Sequence, residues 1–443
     1  MPTSPARLAA FQIVLRVEQE DAYPAELLHS SRYTRLASAD HGLATELVMG
    51  VLRWRSLLDR EIARQSSLSL TKLDPEVLTS LRLAAYQIMF LDRVPARAAI
   101  HESVELVKQA RKRSAVPFTN AVLRKLPGPK GSAISAIAAS KTSLQLATRS
   151  AHPEWLVERW VGEFGFDRVV KICSYDQQIP ETEIRISDPA DEEQLKKEKI
   201  QLVPGRLLSS ARRVIAGNLT ETAASRARRI AIQDEASQVV ALLVGPGSKI
   251  LDCCAAPGGK TRVLAEQNPS ATVIAAELHP HRAHLLRKLV SAANVQVLAA
   301  DARALPLTEL FDRVLVDVPC SGTGTLARNP EIKWRLKAED LVDLSTRQLS
   351  ILRSAMQRVA PRGRLVYATC SLEPEENQAV VESALASDSS FRLLNCLAHL
   401  EQLRARGVLV WEDLGSLTSG PYLRTIPGVH PCDGFFAAIL EKS

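Results

Sequence analysis

No stretch of this chain stays apolar for the ~18 residues that a membrane span needs. The apolar opening "ARLAAFQIVLRVEQE" is broken by arginine and acids, so no secretory signal is expected either. Cysteine is sparse and odd in number, seven among 443 residues. That argues against a disulfide framework and places the protein in the cytoplasm. No two cysteines form a Cys-x-x-Cys pair, which excludes the zinc sites built on that spacing, and no metal is expected. Internal repeats and long low-complexity segments are also missing. A monomer is expected by default, with no membrane partner.

What charge there is, is unevenly shared. Residues 1–145 carry 20 Lys and Arg against 13 Asp and Glu, so the whole formal excess of +7 sits in the first third. A basic module of this kind suits nucleic acid, although a solvated helical surface would look the same.

That first third reads as helices. "ARLAAFQIVLRVEQ", "DHGLATELVMGVLRWRSLLDREIAR", "DPEVLTSLRLAAYQIMFLD", "ARAAIHESVELVKQAR" and "VPFTNAVLRKL" all repeat apolar residues at three- and four-residue spacings. Asp74-Pro75-Glu76 and Asp40 are plausible helix starts. Proline and glycine cluster between Pro127 and Gly131 and break the pattern. We therefore expect an all-α domain over 1–140, a small mixed α+β linking region over 145–230, and a third domain over 231–443. In the third, β-rich runs ("SKILDCC", "ATVIAAEL", "VQVLAAD", "FDRVLVDV", "GRLVYATC") alternate with helical segments. Such alternation implies a mostly parallel, Rossmann-like α/β sheet. A last run, "GFFAAILE", is expected to close it.

Ligands of open α/β sheets bind beyond the carboxyl ends of the strands. There this sequence places Asp252, Glu277, Asp301 and Asp317. The loop "CCAAPGGKT" resembles a phosphate-binding P-loop only in its tail. The first glycine of that motif falls on Cys254, and Pro257 interrupts the loop. Four acids also suit a phosphate-rich ligand poorly. They suit a nucleoside with a cationic centre: Glu277 for the ribose hydroxyls, Asp301 for an adenine amino group. S-adenosylmethionine has these parts and a sulfonium besides.

Two cysteines lie on the same edge, Cys320 in "DVPCSGTG" and Cys370 in "YATCSLEPEEN". Free cysteines are more often buried small hydrophobes, and Cys173, Cys396 and Cys432 are read that way. Two thiols beside a methyl donor suggest cytosine chemistry. Carbon 5 of cytosine is too weak a nucleophile to take a methyl group until a thiolate adds at carbon 6. Asp317 could hold the N3/N4 edge of the ring.

"LDCCAAPGGKT", "DVPCSGTGTLARNPEIKWR" and "YATCSLEPEEN" resemble the signature motifs of the RsmB/Sun/NOP family of RNA 5-methylcytosine methyltransferases. "PFTNAVLRKL" is similar to the NusB-like RNA-binding domain at the front of the family's bacterial 16S ribosomal RNA members. "HPEWLVERWVGEFG" and "IQDEASQVVALLV" resemble their linking region, and "DGFFAAILEK" their C-terminus. The resemblance implies a NusB-like domain before a Rossmann-like catalytic domain, with 16S rRNA as partner and S-adenosylmethionine as cofactor. It makes Cys254, Ala255, Ala256, Pro257, Gly258, Gly259 and Lys260 the cofactor loop, with Glu277, Asp301 and Asp317 as contacts. Cys370 becomes the nucleophile and Cys320 the thiol that assists release, a division that spacing alone leaves open. Arg328, Lys333 and Arg335, close behind Cys320, are candidates for gripping RNA phosphates. The chain departs from the pattern at Glu277 (usually Asp), at Cys253, which has no assigned role, and at Asp176, Ile179 and Ser187. Alternatives are a non-catalytic RNA-binding factor, or a cytosine-C5 methyltransferase acting on tRNA or DNA.

Overall fold

The computed structural model describes residues 3–30, 32, 33, 35–128 and 133–443. Residues 129–132, which include most of the Pro/Gly break, lie outside the described residues. The chain forms two units: residues up to Ile179 together with Leu326–Leu336, and Pro180–Thr325 together with Lys337–Ser443. The expected linking region is thus shared out. Its helices Glu154–Phe164 and Phe166–Asp176 belong to the first unit, and its strands, with the helices Pro189–Lys197 and Ala223–Arg226, belong to the second.

Among the described residues the first unit holds helices joined by loops and no strand, and its main helices fall where the apolar spacing predicts. They are Pro5–Glu20, Ser38–Gln65, Pro75–Phe90, Ala96–Gln109 and Val116–Leu123. Leu47, Val51, Leu58 and Ile62 of the second helix recur on one face and are fully buried, each removing on the order of 2 kcal/mol of apolar surface from water. Leu81, Ala84, Ala85 and Ile88 do the same for the third. The third helix starts at Pro75, which needs no amide partner in a first turn. Asp74 precedes it but makes no side-chain cap, its carboxylate lying 3.2 Å from Lys112 Nζ instead. Asp40 falls inside the first turn of Ser38–Gln65 and meets the positive end of the helix dipole there.

The second unit opens with β1 (Thr182–Arg185), β2 (Gln201–Pro204), β3 (Ala211–Ala216) and β4 (Ala231–Ile232), an antiparallel sheet in the order β2-β3-β1-β4. Ile184, Ile186, Leu195 and Ile200 form its small core. The larger sheet comprises β5 (Lys249–Asp252), β6 (Thr272–Glu277), β7 (Val295–Ala299), β8 (Phe311–Asp317), β9 (Val359–Thr369), β10 (Phe391–Leu394), β11 (Thr418–Ser419), β12 (Tyr422–Arg424) and β13 (Phe436–Lys442). Its order is β11-β12-β13-β9-β8-β5-β6-β7, with β10 paired to β13.

β5 to β9 are mutually parallel, and β13 runs antiparallel beside β9. The central strands are apolar on both faces. Ile250, Leu315, Val366 and Ile439 pack into one core, and their neighbours Leu251, Val314, Leu365 and Leu440 into the other. Burial of both faces requires continuous apolar runs, and the runs read in the sequence are of this kind. β13 does not end the sheet as expected. Short antiparallel strands flank it, and these carry too few alternating residues to be read from pattern.

Candidate active site

Strand order reverses at β5, whose neighbours β6 and β8 lead to opposite halves of the sheet. Ligands bind such sheets at the carboxyl ends of the strands around that reversal. Asp252 ends β5, Glu277 ends β6 and Asp317 ends β8, with Asp301 two residues after β7. The loop from Cys253 to Gly258 leads from β5 into the helix Gly259–Gln267. Gly258 makes that turn at φ +113, where a Cβ would lie 2.5 Å from Val290 Cγ2, so only glycine fits.

The lysine of the loop faces a carboxylate. Lys260 Nζ lies 2.7 Å from Asp317 Oδ2 and 5.0 Å from the centroid of the Phe435 ring. Burial works against its ammonium, but Asp317, and beyond it Cys370 and Asp252, outweigh burial and raise its pKa. Asp252 is buried and accepts from Thr261 Oγ1 at 2.7 Å. Burial foremost, with Asp317 adding repulsion, pushes its pKa up to about 7.

That shift sets a pH dependence. Between the ordinary carboxyl value near 3.8 and about 7, the folded chain keeps a proton that the unfolded chain has lost. The stability contribution is therefore complete below pH ~3.8 and lost as pH rises through about 7. Asp252→Asn is neutral at every pH and should melt higher than the wild type at pH 8. The gain is on the order of 2–4 kcal/mol and shrinks toward zero near pH 4, as thermal melts at the two pH values will check.

Glu277 is buried, and its Oε1 accepts the His279 N–H at 3.0 Å. Asp301 is held by the Arg303 guanidinium, with Nη2 at 2.6 Å from Oδ2, and that hydrogen bond lowers its pKa. Asp252 and Glu277 ring a loop that offers small residues and no first P-loop glycine. Acceptors in this arrangement fit the hydroxyls and amino group of a nucleoside with a cationic centre, and fit a polyphosphate badly.

The two thiols meet. Cys320, three residues past the end of β8, and Cys370, one residue past β9, place their Sγ atoms 3.3 Å apart. That is a non-bonded contact, well beyond a disulfide length of about 2.05 Å. The contact with Cys370, then burial, then the Glu376 carboxylate drive the Cys320 thiol well above its ordinary pKa. Pattern reading passed over the residues that hold this pair. Glu376 Oε1 accepts from Ser321 N and from Gln348 Nε2, each at 2.8 Å, and its Oε2 accepts from Ser371 Oγ at 2.5 Å. Gln348 also donates to Pro319 O. Gly324 N donates to Cys370 O at 2.9 Å, and Gly434 N to Gly324 O at 2.8 Å. A glutamate inside "EPEEN" looks like any loop acid until the fold buries it.

Residues 326–336, directly behind Cys320, are built into the first unit. Lys333 is 1 % exposed, and its Nζ donates to Arg53 O at 3.0 Å and Ala151 O at 3.1 Å. Burial lowers its pKa. Trp334 Nε1 donates to Leu52 O, and Arg335 Nη2 to Val17 O and Ala22 O. Lys333 is thus not a surface cation for RNA, and Arg335 spends its guanidinium on backbone carbonyls. Arg328 is half-buried in the same segment. The sequence pattern showed basic residues near a motif, and only the fold gave them internal acceptors. Asp176, one of the departures from the family pattern, is fully buried 3.2 Å from His152 Nε2. Cys253 is buried against the apolar core under the loop, as Cys173, Cys396 and Cys432 are elsewhere.

Two family models match the chain. One, 16S rRNA methyltransferase RsmB/F, covers residues 239–441, and the other, the NusB family, covers residues 4–127. The chain is 34% identical to a probable ribosomal RNA small subunit methyltransferase B of Bacillus subtilis, with the whole of both chains aligned. This chain belongs to the RsmB/F family of 16S rRNA methyltransferases. The ribosomal RNA small subunit methyltransferase B of Vibrio cholerae is 29% identical, over 91% of this chain and 90% of that one. A crystal structure of PH0851 covers both chains entirely at 24% identity with a TM-score of 0.80, so the fold is shared along the full length. As an RsmB/F-family member, the chain carries a NusB-like helical domain before a Rossmann-like methyltransferase domain. Among the described residues, no helix is long and apolar enough to cross a membrane.

Proposed function

We propose that this RsmB/F-family chain methylates carbon 5 of a cytosine in 16S rRNA through a covalent adduct between Cys370 and the base. The observation that carries the reading is the pair of thiols 3.3 Å apart at the ends of adjacent parallel strands, beside the Lys260–Asp317 pair. S-adenosylmethionine, held by the loop Cys254–Lys260 with Glu277, Asp301 and Asp317, supplies an electrophilic methyl group. Asp252 and Glu277 supply the acceptors such a ligand needs.

Cys320 resists ionisation, through its contact with Cys370 and its burial, and the proposed nucleophile is therefore Cys370. The Cys370 thiolate adds to carbon 6 of the cytosine and forms one C–S bond; the C5=C6 pair shifts to C4=C5, the C4=N3 pair moves onto N3, and N4–C4=C5 becomes an enamine whose carbon 5 is nucleophilic. Asp317 meets the N3/N4 edge as the ring gains electrons. Carbon 5 takes the methyl group and then gives up its proton to water. The electrons of that C–H bond restore C5=C6 as the C–S bond breaks and Cys370 leaves. Cys320, in contact with Cys370, assists that last step. The target base must stand clear of any stack to reach these sulfurs.

The test compares tritium transfer from labelled S-adenosylmethionine to 16S rRNA, transfer RNA and duplex DNA, with bisulfite sequencing to locate the product. Label on carbon 5 of a 16S rRNA cytosine is the expected result. Label on transfer RNA or DNA alone would overturn the substrate, and no label on any of the three would favour a non-catalytic RNA-binding role.

A further inference from the structure

The carboxylate of Glu376 is fully buried, yet among the described residues no lysine, arginine or histidine pairs with it. A buried charge without a counter-ion costs several kcal/mol unless hydrogen bonds replace its water. Here three donors do so: the Ser321 backbone N–H, the Gln348 amide and the Ser371 hydroxyl. Two of them belong to the residues that immediately follow the two cysteines. The third, Gln348 on the helix Asp340–Met356, also holds the carbonyl of Pro319, the residue before Cys320. Cys320 is therefore fixed from both sides, by Pro319 through Gln348 and by Ser321 through Glu376. The turn after Cys370 is fixed by the same carboxylate. Backbone from the Glu376 residue itself closes the frame, because Tyr367 of β9 donates its hydroxyl to Glu376 O at 2.6 Å.

A glutamine would keep one oxygen for the Ser321 N–H and the Gln348 amide but turn an NH2 group toward Ser371 Oγ and remove the charge, whereas the carboxylate accepts from all three. The charge also has a direction of effect. Cys320 is faced by Cys370 at the end of β9, by Glu376 on the turn Pro374–Glu376, by the Tyr367 hydroxyl and by the Gly322 N–H. Lys260 lies toward Asp317 and Cys370. The Glu376 charge opposes ionisation of Cys320, while the Lys260 ammonium, shared with Asp317, is favoured by a thiolate at Cys370.

We infer that Glu376 is the positioning residue of the thiol pair: it holds the two cysteine turns in register and keeps the proton of the pair on Cys320, so that Cys370 is the sulfur that attacks. This inference rests on the covalent mechanism proposed above and assigns what spacing in the sequence leaves open. Glu376 acts through the cysteines and touches no substrate.

The experiment uses the full-length chain and needs no RNA for its main readout. Alkylation of Cys320 by iodoacetamide, followed peptide by peptide in a mass spectrometer across pH, reports where that thiol ionises. Glu376→Gln removes the opposing charge, so the Cys320 midpoint should fall by at least about one pH unit. Adduct formation with 16S rRNA should slow about 100-fold, while S-adenosylmethionine affinity stays within about twofold of the wild type. An unchanged Cys320 midpoint in a Glu376→Gln protein that still binds S-adenosylmethionine would overturn the inference, because a purely structural glutamate moves no titration. Ser371→Ala supplies the second arm, since it removes one donor and keeps the charge. Its adduct formation should slow about tenfold with the Cys320 midpoint at or above the wild-type value. Unchanged adduct formation there overturns the inference whether or not Glu376→Gln folds. Failure of the methyltransferase reading looks different: the wild type would then methylate no cytosine, while the alkylation profiles would still report the coupling of Glu376 to Cys320.

Discussion

Cys320→Ala protein, incubated with 16S rRNA and S-adenosylmethionine, should accumulate a protein–RNA adduct that survives denaturing electrophoresis, whereas Cys370→Ala protein should form none. In the proposed mechanism Cys370 makes the only covalent bond to the base. Its loss should lower methyl transfer by at least about 10⁴-fold, the scale seen when a nucleophile is removed. Cys320→Ala keeps that nucleophile and the methyl donor site, so attack and transfer proceed and release fails. The 3.3 Å contact between the sulfurs is what makes the two steps separable, since each thiol is close enough to serve the same carbon–sulfur bond. S-adenosylmethionine affinity should be unchanged in both variants, as neither sulfur belongs to the loop Cys254–Lys260. An adduct with Cys370→Ala and none with Cys320→Ala would reverse the two roles. No adduct with either variant would remove the covalent mechanism.

Gly324→Ala should be nearly as damaging, without touching any reacting group. A Cβ on Gly324 would lie 2.2 Å from Gly434 O and 2.9 Å from Cys370 O, and both obstacles are backbone. Neither can rotate away as a side chain would. Relief requires parting Gly324 from Gly434 or from Cys370, which breaks the N–H···O bonds that run Gly434 to Gly324 and Gly324 to Cys370. Overpacking of this kind costs about 1–3 kcal/mol or more. The displaced residue is the proposed nucleophile, and a shift of about 1 Å at a reacting centre costs ~100-fold in rate. The expected result is a lower melting temperature together with a loss of methyl transfer of at least about 100-fold. Gly162→Ala serves as the control, because nothing lies within 4 Å of a Cβ there. On the helix Glu154–Phe164 that substitution should stabilise by roughly 0.5–1 kcal/mol. Equal melting temperature and activity for Gly324→Ala and the wild type would contradict the clash.

Much of this protein is legible without coordinates, for identifiable reasons. The helices of the first unit declare themselves because one face of each is buried in a local, 3.6-residue rhythm, as Leu47, Val51, Leu58 and Ile62 show. The five parallel strands declare themselves because both faces are buried, which leaves unbroken apolar runs. Cys320, Cys370 and the loop before Lys260 stand in compact local motifs, so their presence on one sheet edge follows once the strands are placed.

Other features depend on which residues become neighbours across long stretches of chain. Lys333 and Arg335 sit in a basic, exposed-looking segment, yet they donate to carbonyls 182 to 318 residues earlier in the chain. No window of sequence contains both partners. β10, β11 and β12 are held by pairing to or beside β13 rather than by any pattern of their own. Lys260 looks like a phosphate ligand in "GGKT" and becomes a partner of Asp317, because β5 and β8 lie side by side.

Amino-acid order by itself determined the element types, the parallel sheet and the identities of the two thiols, since each rests on local periodicity or contiguous chemistry. Tertiary structure alone distinguished this pair from the buried cysteines, by setting the two sulfurs 3.3 Å apart with Glu376 bound behind both turns. That distinction is set by distance and burial, which act through space and leave no spacing in the chain.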